Sequence, residues 1–98
     1  MLVRIVKLTF KKENITSFET IFKNNKQKIR QADGCTFLEL LQSEEDKNIF
    51  FTYSHWNSAT DLENYKNSEF FKSVWQKTKL LFEAKPEAWS LTKKETIN

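Results

Sequence analysis

Residues 35–56 read CTFLELLQSEEDKNIFFTYSHW, and this stretch decides the fold. Its two ends, residues 35–42 and 49–56, are rich in apolar and aromatic side chains, which is the composition of β-strands. The segment between them, residues 43–48, contains only polar and charged side chains. A polar turn between two such runs predicts a β-hairpin.

Upstream of this hairpin, residues 2–10 (LVRIVKLTF) predict the first strand. A helix follows, because apolar residues recur there at helical spacing, namely Ile15, Phe18, Phe22 and Ile29. Asn14 can cap the start of this helix, and Thr16 with Glu19 forms an alternative capping box. Asp33-Gly34 is predicted to end it, with Gly34 in the left-handed conformation.

Downstream of the hairpin, Ser58 is predicted to cap a short helix that runs through Tyr65, and Ser68 to cap a second helical piece. Pro86 forbids continuation of that piece, and residues 87–93 (EAWSLTK) predict a last, edge strand. The order is therefore β-α-β-β-α-β. With right-handed crossovers it predicts a ferredoxin-like α+β fold, a four-stranded antiparallel sheet of strand order 4-1-3-2 with the helices on one face.

Two strands of this predicted sheet are apolar on both of their faces. Successive side chains of a strand point to opposite faces of the sheet. In residues 2–10 and in residues 49–56, both faces receive large apolar or aromatic side chains. The helices can cover only one face, and the open face of an antiparallel sheet is ordinarily polar. A second copy laid sheet against sheet would bury the remaining apolar face. The sequence therefore predicts a homodimer.

The composition narrows the class of protein further. The chain has 98 residues, with nine Phe, three Trp and two Tyr, but only one Gly, one Pro and one Cys. This length predicts one domain, residues 1–98, with a loose tail at residues 94–98. A lone cysteine forms no intrachain disulfide, no apolar run reaches the roughly 18 residues of a membrane span, and the first residues lack a signal-peptide pattern. We therefore expect a cytoplasmic protein with no membrane partner.

The stretch from Phe50 to Leu91 resembles the antibiotic biosynthesis monooxygenase (ABM) domain family. The matching features are a strand that ends in tryptophan, two capped helical pieces and the entry into the last strand: Trp56-Asn57-Ser58, Leu62, Tyr65, Ser68, Phe71, Trp75, Leu81 and Lys85-Pro86-Glu87-Ala88-Trp89. Gly34-Cys35 at the start of the second strand also fits. The resemblance covers nearly the whole chain and implies a dimeric α+β barrel, in agreement with the homodimer predicted from the strands.

The resemblance implies more than one activity. Some members of the family oxidise anthrone-like or quinol substrates with dioxygen and without a metal or flavin. Others degrade haem, with an Asn on the first strand and a Trp and a His after the third. All three of these positions differ in this chain: Tyr65 stands at the position of that Trp, Trp75 at the position of that His, and residues 2–10 contain no Asn. Haem degradation is therefore not predicted. We therefore predict a monooxygenase of a small quinol- or anthrone-like aromatic substrate that uses no cofactor.

Six residues are the candidate site. We predict His55, the only histidine, as a general base beside a bound phenol, and Tyr65 as a catalytic residue that hydrogen-bonds a carbonyl oxygen. The predicted substrate-binding residues are Tyr53, Trp56, Asn57 and Trp75. Each has an alternative interpretation: His55 as a strand-end or dimer-face residue, the rings as core, and Asn57 as a turn residue. One His and one Cys cannot supply a zinc site, so no metal is predicted.

Two other functions fit the sequence less directly. A small-molecule-binding dimer without catalysis is favoured by the shortage of catalytic polar side chains. An RNA-binding sheet would share the order of elements and could present Phe51 and Tyr53 on one face. However, residues 47–53 (KNIFFTY) lack the Gly of the RNA-recognition signature, and a chain with two Arg is poorly equipped to contact phosphates and bases. We therefore expect no nucleic-acid partner.

Overall fold

The computed structural model describes residues 1–98. Four strands, three α-helices and one 3-10 turn follow one another along the chain: β1 (Leu2–Thr9), the 3-10 turn (Lys12–Asn14), α1 (Ile15–Arg30), β2 (Cys35–Gln42), β3 (Ile49–Trp56), α2 (Ala59–Lys66), α3 (Glu69–Lys79) and β4 (Glu87–Thr92). The predicted α+β order is confirmed, with the second helical stretch divided into α2 and α3. None of the helices has the length and hydropathy that crossing a membrane requires.

The four strands form one antiparallel sheet in the order β2-β3-β1-β4, which is the predicted ferredoxin-like order. β1 ends at Thr9, one residue before the predicted end, because Phe10 leaves the pairing with β3 and makes an isolated bridge with Phe82 instead. The amide of Phe10 donates to the carbonyl of Asn48 at 2.9 Å, and the side-chain amide of Asn48 donates to the carbonyl of Phe10 at 3.0 Å. This reciprocal pair links the end of β1 to the start of β3.

Helix α1 differs from its prediction at both ends. Asn14 occupies the N-cap position but its side chain does not cap the helix; its amide instead donates to the carbonyl of Leu81 at 3.3 Å. The helix ends at Arg30 rather than at Asp33-Gly34, and a short turn follows. Gly34 does adopt the predicted positive φ, +85°, and a side chain there would collide with that of Asp61.

Both predicted serine caps are present. The Oγ atom of Ser58 accepts a hydrogen bond from the Asp61 amide at 3.1 Å, and the Oγ atom of Ser68 accepts one from the Phe71 amide at 3.1 Å. Each bond satisfies an amide that the first turn of a helix leaves without an intrahelical partner. The caps therefore fix where α2 and α3 begin, and so which of their side chains reach the sheet.

One face of the sheet packs against the helices, and we call it the helix face. Its core contains two groups of buried side chains: Leu8, Phe10, Phe18 and Phe50 form the first, and Cys35, Trp56 and Leu62 form the second. In the first group the rings of Phe10 and Phe18 stack with centroids 4.2 Å apart. The even-numbered residues of β1 and β3 supply this face, because alternate side chains of a strand point to opposite sides.

The other face of the sheet is covered by no helix, and we call it the open face. Its exposed apolar side chains are Phe37, Leu41, Trp89 and Leu91, and they lie beside Ile5, Phe51, Tyr53 and His55. Strand β4 is exposed along all six of its residues. The structure thus places a broad apolar surface on the side of the sheet away from the helices.

Candidate functional site

A cavity of about 350 Å³ lies between the helix face of the sheet and the three helices. Its volume is at the lower end of the range for small-molecule sites. Most of its lining side chains are apolar, and six of them are aromatic: Phe18 and Phe22 of α1, Trp56 of β3, Tyr65 of α2, and Phe71 and Trp75 of α3. Pro86 and Ala88 complete the lining on the side of β4, whose residues are exposed.

Tyr65 is held in this wall by other rings. Its ring lies 5.1 Å from that of Trp56, and Phe71 approaches it edge-on at a centroid distance of 5.1 Å. Its hydroxyl makes no hydrogen bond to another group of the protein, whereas its backbone carbonyl accepts one from Ser68. Burial raises the pKa of Tyr65, and the neighbouring Cys35 acts in the same direction. Tyr65 therefore presents a neutral hydroxyl that can donate a hydrogen bond.

The two tryptophans of the wall contribute ring surface. Trp56 is 1 % exposed, and its indole nitrogen donates to Ser54 Oγ at 3.0 Å. Trp75 stacks on Phe71 with centroids 5.8 Å apart and with ring planes inclined by 12°. Because the polar atom of Trp56 is already bonded within the protein, its ring offers a ligand stacking and apolar contact only.

His55 and Tyr53 lie on the open face, on the opposite side of the sheet from Tyr65. The His55 Nε2 atom is 3.1 Å from the hydroxyl of Tyr53, and the His55 ring lies 4.9 Å from that of Phe37. Neither residue lines the cavity. The structure therefore does not bring the two predicted catalytic residues, His55 and Tyr65, together at one site.

Asn57 is exposed in the turn after β3 and also lies outside the cavity lining. Its amide donates to the carbonyl of Gly34 at 2.8 Å, so the residue joins the start of β2 to the end of β3. Of the six predicted site residues, the structure gathers three at the cavity, Trp56, Tyr65 and Trp75. The predicted roles of all six remain predictions.

Arg4 is a cavity residue that the sequence analysis missed. It lies on the helix face of β1, is half-buried and lines the cavity, as does Lys66 of α2. Burial lowers the pKa of Arg4, and the charge of Glu63 opposes that effect. The signal in the sequence was available, since Arg4 is the single charged residue among the even-numbered positions of the first strand.

The structure shows neither a cluster of metal-binding side chains nor an activated thiol. No three His, Cys, Asp or Glu side chains come together. Cys35 is buried beside Trp56 and Leu62, and burial raises the pKa of its thiol. A thiol kept protonated in this way behaves as a small apolar side chain.

Fold and cavity together define a class: a small ferredoxin-like α+β domain with a ring-lined cavity between its sheet and its helices. Within that class, residues 1–77 match the family model described as antibiotic biosynthesis monooxygenase, and the chain belongs to that family. The resemblance that the sequence motifs suggested is thereby confirmed. A comparison with curated proteins finds no match to this sequence.

Solved structures share the same fold. A conserved protein from Methanosarcina mazei superposes with a TM-score of 0.89 at 21 % identity, over 96 % of this chain and 94 % of that one. A proposed antibiotic biosynthesis monooxygenase from Deinococcus radiodurans gives 0.90 at 17 % identity, over 100 % and 97 %. Another, from Nitrosomonas europaea, gives 0.88 at 17 % identity, over 95 % and 98 %. Identities this low establish the fold and carry no activity across.

Proposed function

We propose that the protein is a monooxygenase of small aromatic substrates that acts in this cavity without a cofactor. The observation that carries the proposal is the neutral hydroxyl of Tyr65, set among rings on the cavity wall with no partner inside the protein. Such a hydroxyl can donate a hydrogen bond to an oxygen on a ring system that stacks between Trp56 and Trp75. Membership of the ABM family supports this reading.

The reaction proposed for an anthrone-type substrate balances with dioxygen alone. The CH₂ group between two aromatic rings loses a proton to give an enolate, which passes one electron to dioxygen. The two radicals combine to a peroxide at that carbon, the proton returns to the peroxide, and loss of water leaves a carbonyl. One dioxygen molecule yields one quinone oxygen and one water, and the substrate supplies all four electrons.

In this scheme Tyr65 stabilises charge and does not remove the proton. Its hydrogen bond to the substrate oxygen strengthens as the enolate forms, which lowers the barrier to proton loss. No His, Asp or Glu lines the cavity, so in this scheme water accepts the proton. His55, the base predicted from the sequence, lies behind the sheet and has no part in this scheme.

The test is dioxygen consumption with a panel of anthrones and quinols, followed by mass spectrometry of the product formed under isotopically labelled dioxygen. We expect one labelled oxygen per product molecule and a fall of about a hundredfold in kcat for Tyr65→Phe, in the range found for loss of one oxyanion donor. No uptake across the panel would overturn the proposal. Loss of turnover in Tyr53→Phe with full turnover in Tyr65→Phe would move the site to the open face.

A second function is favoured by the same cavity. Because its lining contains no His, Asp, Glu or Cys, the cavity can bind an aromatic ligand and leave it unchanged. A binding protein of this kind would be stabilised against heat by aromatic ligands with no dioxygen uptake. Stabilisation together with turnover would exclude it.

We further propose that two copies pair through the open face. Phe37, Leu41, Trp89 and Leu91 are exposed there, each by more than a third of its surface. A contiguous apolar surface of this kind is unusual on a monomer, and sheet-to-sheet packing of a second copy would remove it from water. Light scattering should give twice the chain mass of 11.7 kDa, and a mass of one chain would contradict the pairing.

A further inference from the structure

One row of polar side chains crosses the helix face of the sheet at the level of Arg4. Arg4 stands at its centre, with Ser54 of β3 opposite it on one side and Ser90 of β4 opposite it on the other. Along β1, Arg4 is flanked on this face by Leu2 and Val6. Residues opposite one another in neighbouring strands have Cβ atoms about 5 Å apart, so the three polar side chains form one continuous strip.

The Arg4 guanidinium makes one hydrogen bond within the protein and no ion pair. It donates to Ser90 Oγ at 3.0 Å, which engages one of five N–H donors. The protein contains two ion pairs, Lys7–Glu87 and Lys66–Glu63, and Arg4 belongs to neither. Burial disfavours the Arg4 cation, and Glu63, which pairs with Lys66, offsets this effect only in part, so a ligand that brings an anion is favoured at this position.

Ser54 adds a second donor to the same place. It is 6 % exposed, and its oxygen accepts the indole N–H of Trp56 at 3.0 Å. That bond uses an acceptor position of the hydroxyl and leaves its hydrogen free to donate. The hydrogen of Ser54 and the fork of Arg4 can therefore be directed at one acceptor between them.

The remaining charge at the cavity has the same sign. Among the lining residues only Arg4 and Lys66 are charged, and both are cations. Lys66 is already paired with Glu63 at 3.5 Å, and Glu63 is exposed. The two charged side chains in the lining are thus both cations, and Arg4 is the one outside an ion pair, while most of the remaining lining is apolar.

We propose that the ligand of this cavity is an aromatic molecule that carries an oxyanion, a carboxylate or a phenolate, and that Arg4 and Ser54 bind that group. That the ligand is aromatic follows from the proposed function, whereas that it carries an oxyanion is inferred from the row formed by Arg4, Ser54 and Ser90. A guanidinium is suited to this task because its planar fork matches a carboxylate, and charged hydrogen bonds of this kind are the strong ones. Arg4 is thereby a specificity-determining residue.

The experiment measures binding without turnover, so it separates this inference from the oxidation. Calorimetry compares naphthoate, naphthamide and naphthol, which share one aromatic body and differ in the polar group. If the oxyanion of the ligand is a carboxylate, we expect naphthoate to bind about tenfold more tightly than naphthamide. If the oxyanion is a phenolate, we expect naphthol to bind as the naphtholate anion. The absorbance spectrum of the bound naphthol should then be that of the anion at a pH below the pKa of naphthol in solution.

The matched variants are Arg4→Gln and Lys7→Gln. Both remove one positive charge from β1, but Lys7 lies on the open face in an ion pair with Glu87. We expect Arg4→Gln to abolish the preference for the anion and Lys7→Gln to preserve it. Because the ratio of naphthoate to naphthamide affinity in the unmodified protein needs no variant, the test survives if Arg4→Gln fails to fold.

Equal affinity for naphthoate and naphthamide, with naphthol bound as the neutral phenol, would overturn the inference while leaving the oxidation of neutral anthrones intact. The inference would also be overturned if none of the three probes bound, or if Lys7→Gln removed the preference as fully as Arg4→Gln. Anion-selective binding without any dioxygen uptake would instead support the inference and refute the proposed monooxygenase.

Discussion

The indole nitrogen of Trp56 donates to the hydroxyl of Ser54, two residues earlier on the same strand, at 3.0 Å. Both side chains are nearly inaccessible to solvent, and both line the cavity. The bond holds the Trp56 ring in the plane that Tyr65 packs against, and it fixes the direction in which Ser54 can donate. One hydrogen bond thus connects the aromatic wall of the cavity with its polar row.

Removal of this bond should destabilise the protein. Ser54→Ala leaves the buried N–H of Trp56 without a partner, and we expect a loss of about 1–3 kcal/mol in the free energy of unfolding. In a Trp56→Phe background, which has no N–H to satisfy, the same serine substitution should lose much less. Urea denaturation of the four proteins measures the coupling. Equal losses in the two backgrounds would show that the bond contributes nothing.

Gly34→Ala should destabilise the junction between α1 and β2. Alanine disfavours the observed φ of +85° by about 1–2 kcal/mol, and its Cβ atom would also displace the side chain of Asp61. The carbonyl of Gly34 accepts the Asn57 amide, so we expect the start of α2 to loosen with it. Thermal unfolding and hydrogen exchange at Asn57 check the prediction. An unchanged melting temperature together with unchanged exchange would contradict it.

Stability should fall at high pH because of Tyr65. The folded protein holds the proton of Tyr65 more tightly than the unfolded chain, whose ordinary pKa is 10.0. Above pH 10 the unfolded state releases this proton first, so the free energy of unfolding declines as pH rises from there toward the raised folded pKa. Cys35, whose pKa is also raised, should add a decline that starts above pH 9.0.

Tyr65→Phe isolates the contribution of the tyrosine. Urea denaturation from pH 8 to pH 11 should show a shallower decline for Tyr65→Phe than for the unmodified protein, because phenylalanine has no proton to release. Cys35→Ala should remove the earlier part of the decline in the same way. Parallel curves for the unmodified protein and Tyr65→Phe would mean that the tyrosine is as accessible in the folded state as in the unfolded chain.

Trp89→Lys should convert the proposed dimer to a monomer. Trp89 is 42 % exposed on the open face, opposite Ile5 of β1, and a lysine there would place a charge inside a sheet-to-sheet interface. Thr92→Lys is the matched control, since it introduces the same charge on the same strand but on the helix face. Light scattering should give half the mass for Trp89→Lys only. A dimer in both variants would place the contact elsewhere.

Much of the fold was predictable because its signals are local. Ser58 and Ser68 mark the starts of the helices that they cap. The apolar runs identify the strands, and the order of helices and strands along the chain predicts how the strands are arranged in the sheet. The structure departs from prediction where distant groups intervene. The side chain of Asn14 bonds to the carbonyl of Leu81 instead of capping its own helix, and α1 ends at Arg30 before the turn that leads to Gly34.

The site was predictable only in part, for a related reason. Alternation along β3 shows that His55 and Trp56 point to opposite sides, but not which side the helices cover. That choice depends on the packing of α1 and α3 across the sheet, and it brings Trp56 to Tyr65 while leaving His55 on the open face. Arg4 stands out in the sequence as the one charged residue on its side of the first strand, but only the strand pairing shows that Ser54 and Ser90 lie opposite it.

Strand β3 faces two surfaces at once: Thr52, Ser54 and Trp56 contribute to the cavity, while Phe51, Tyr53 and His55 contribute to the open face. Deleting or inserting one residue within this strand would reverse both sets, sending the cavity residues outward and the open-face residues in. The loop before β3 is less constrained: Asn48 is held by its hydrogen bonds to Phe10, but residues 44–47 are exposed and can change in number. We expect natural variants of this chain to differ in length at that loop and never within β3.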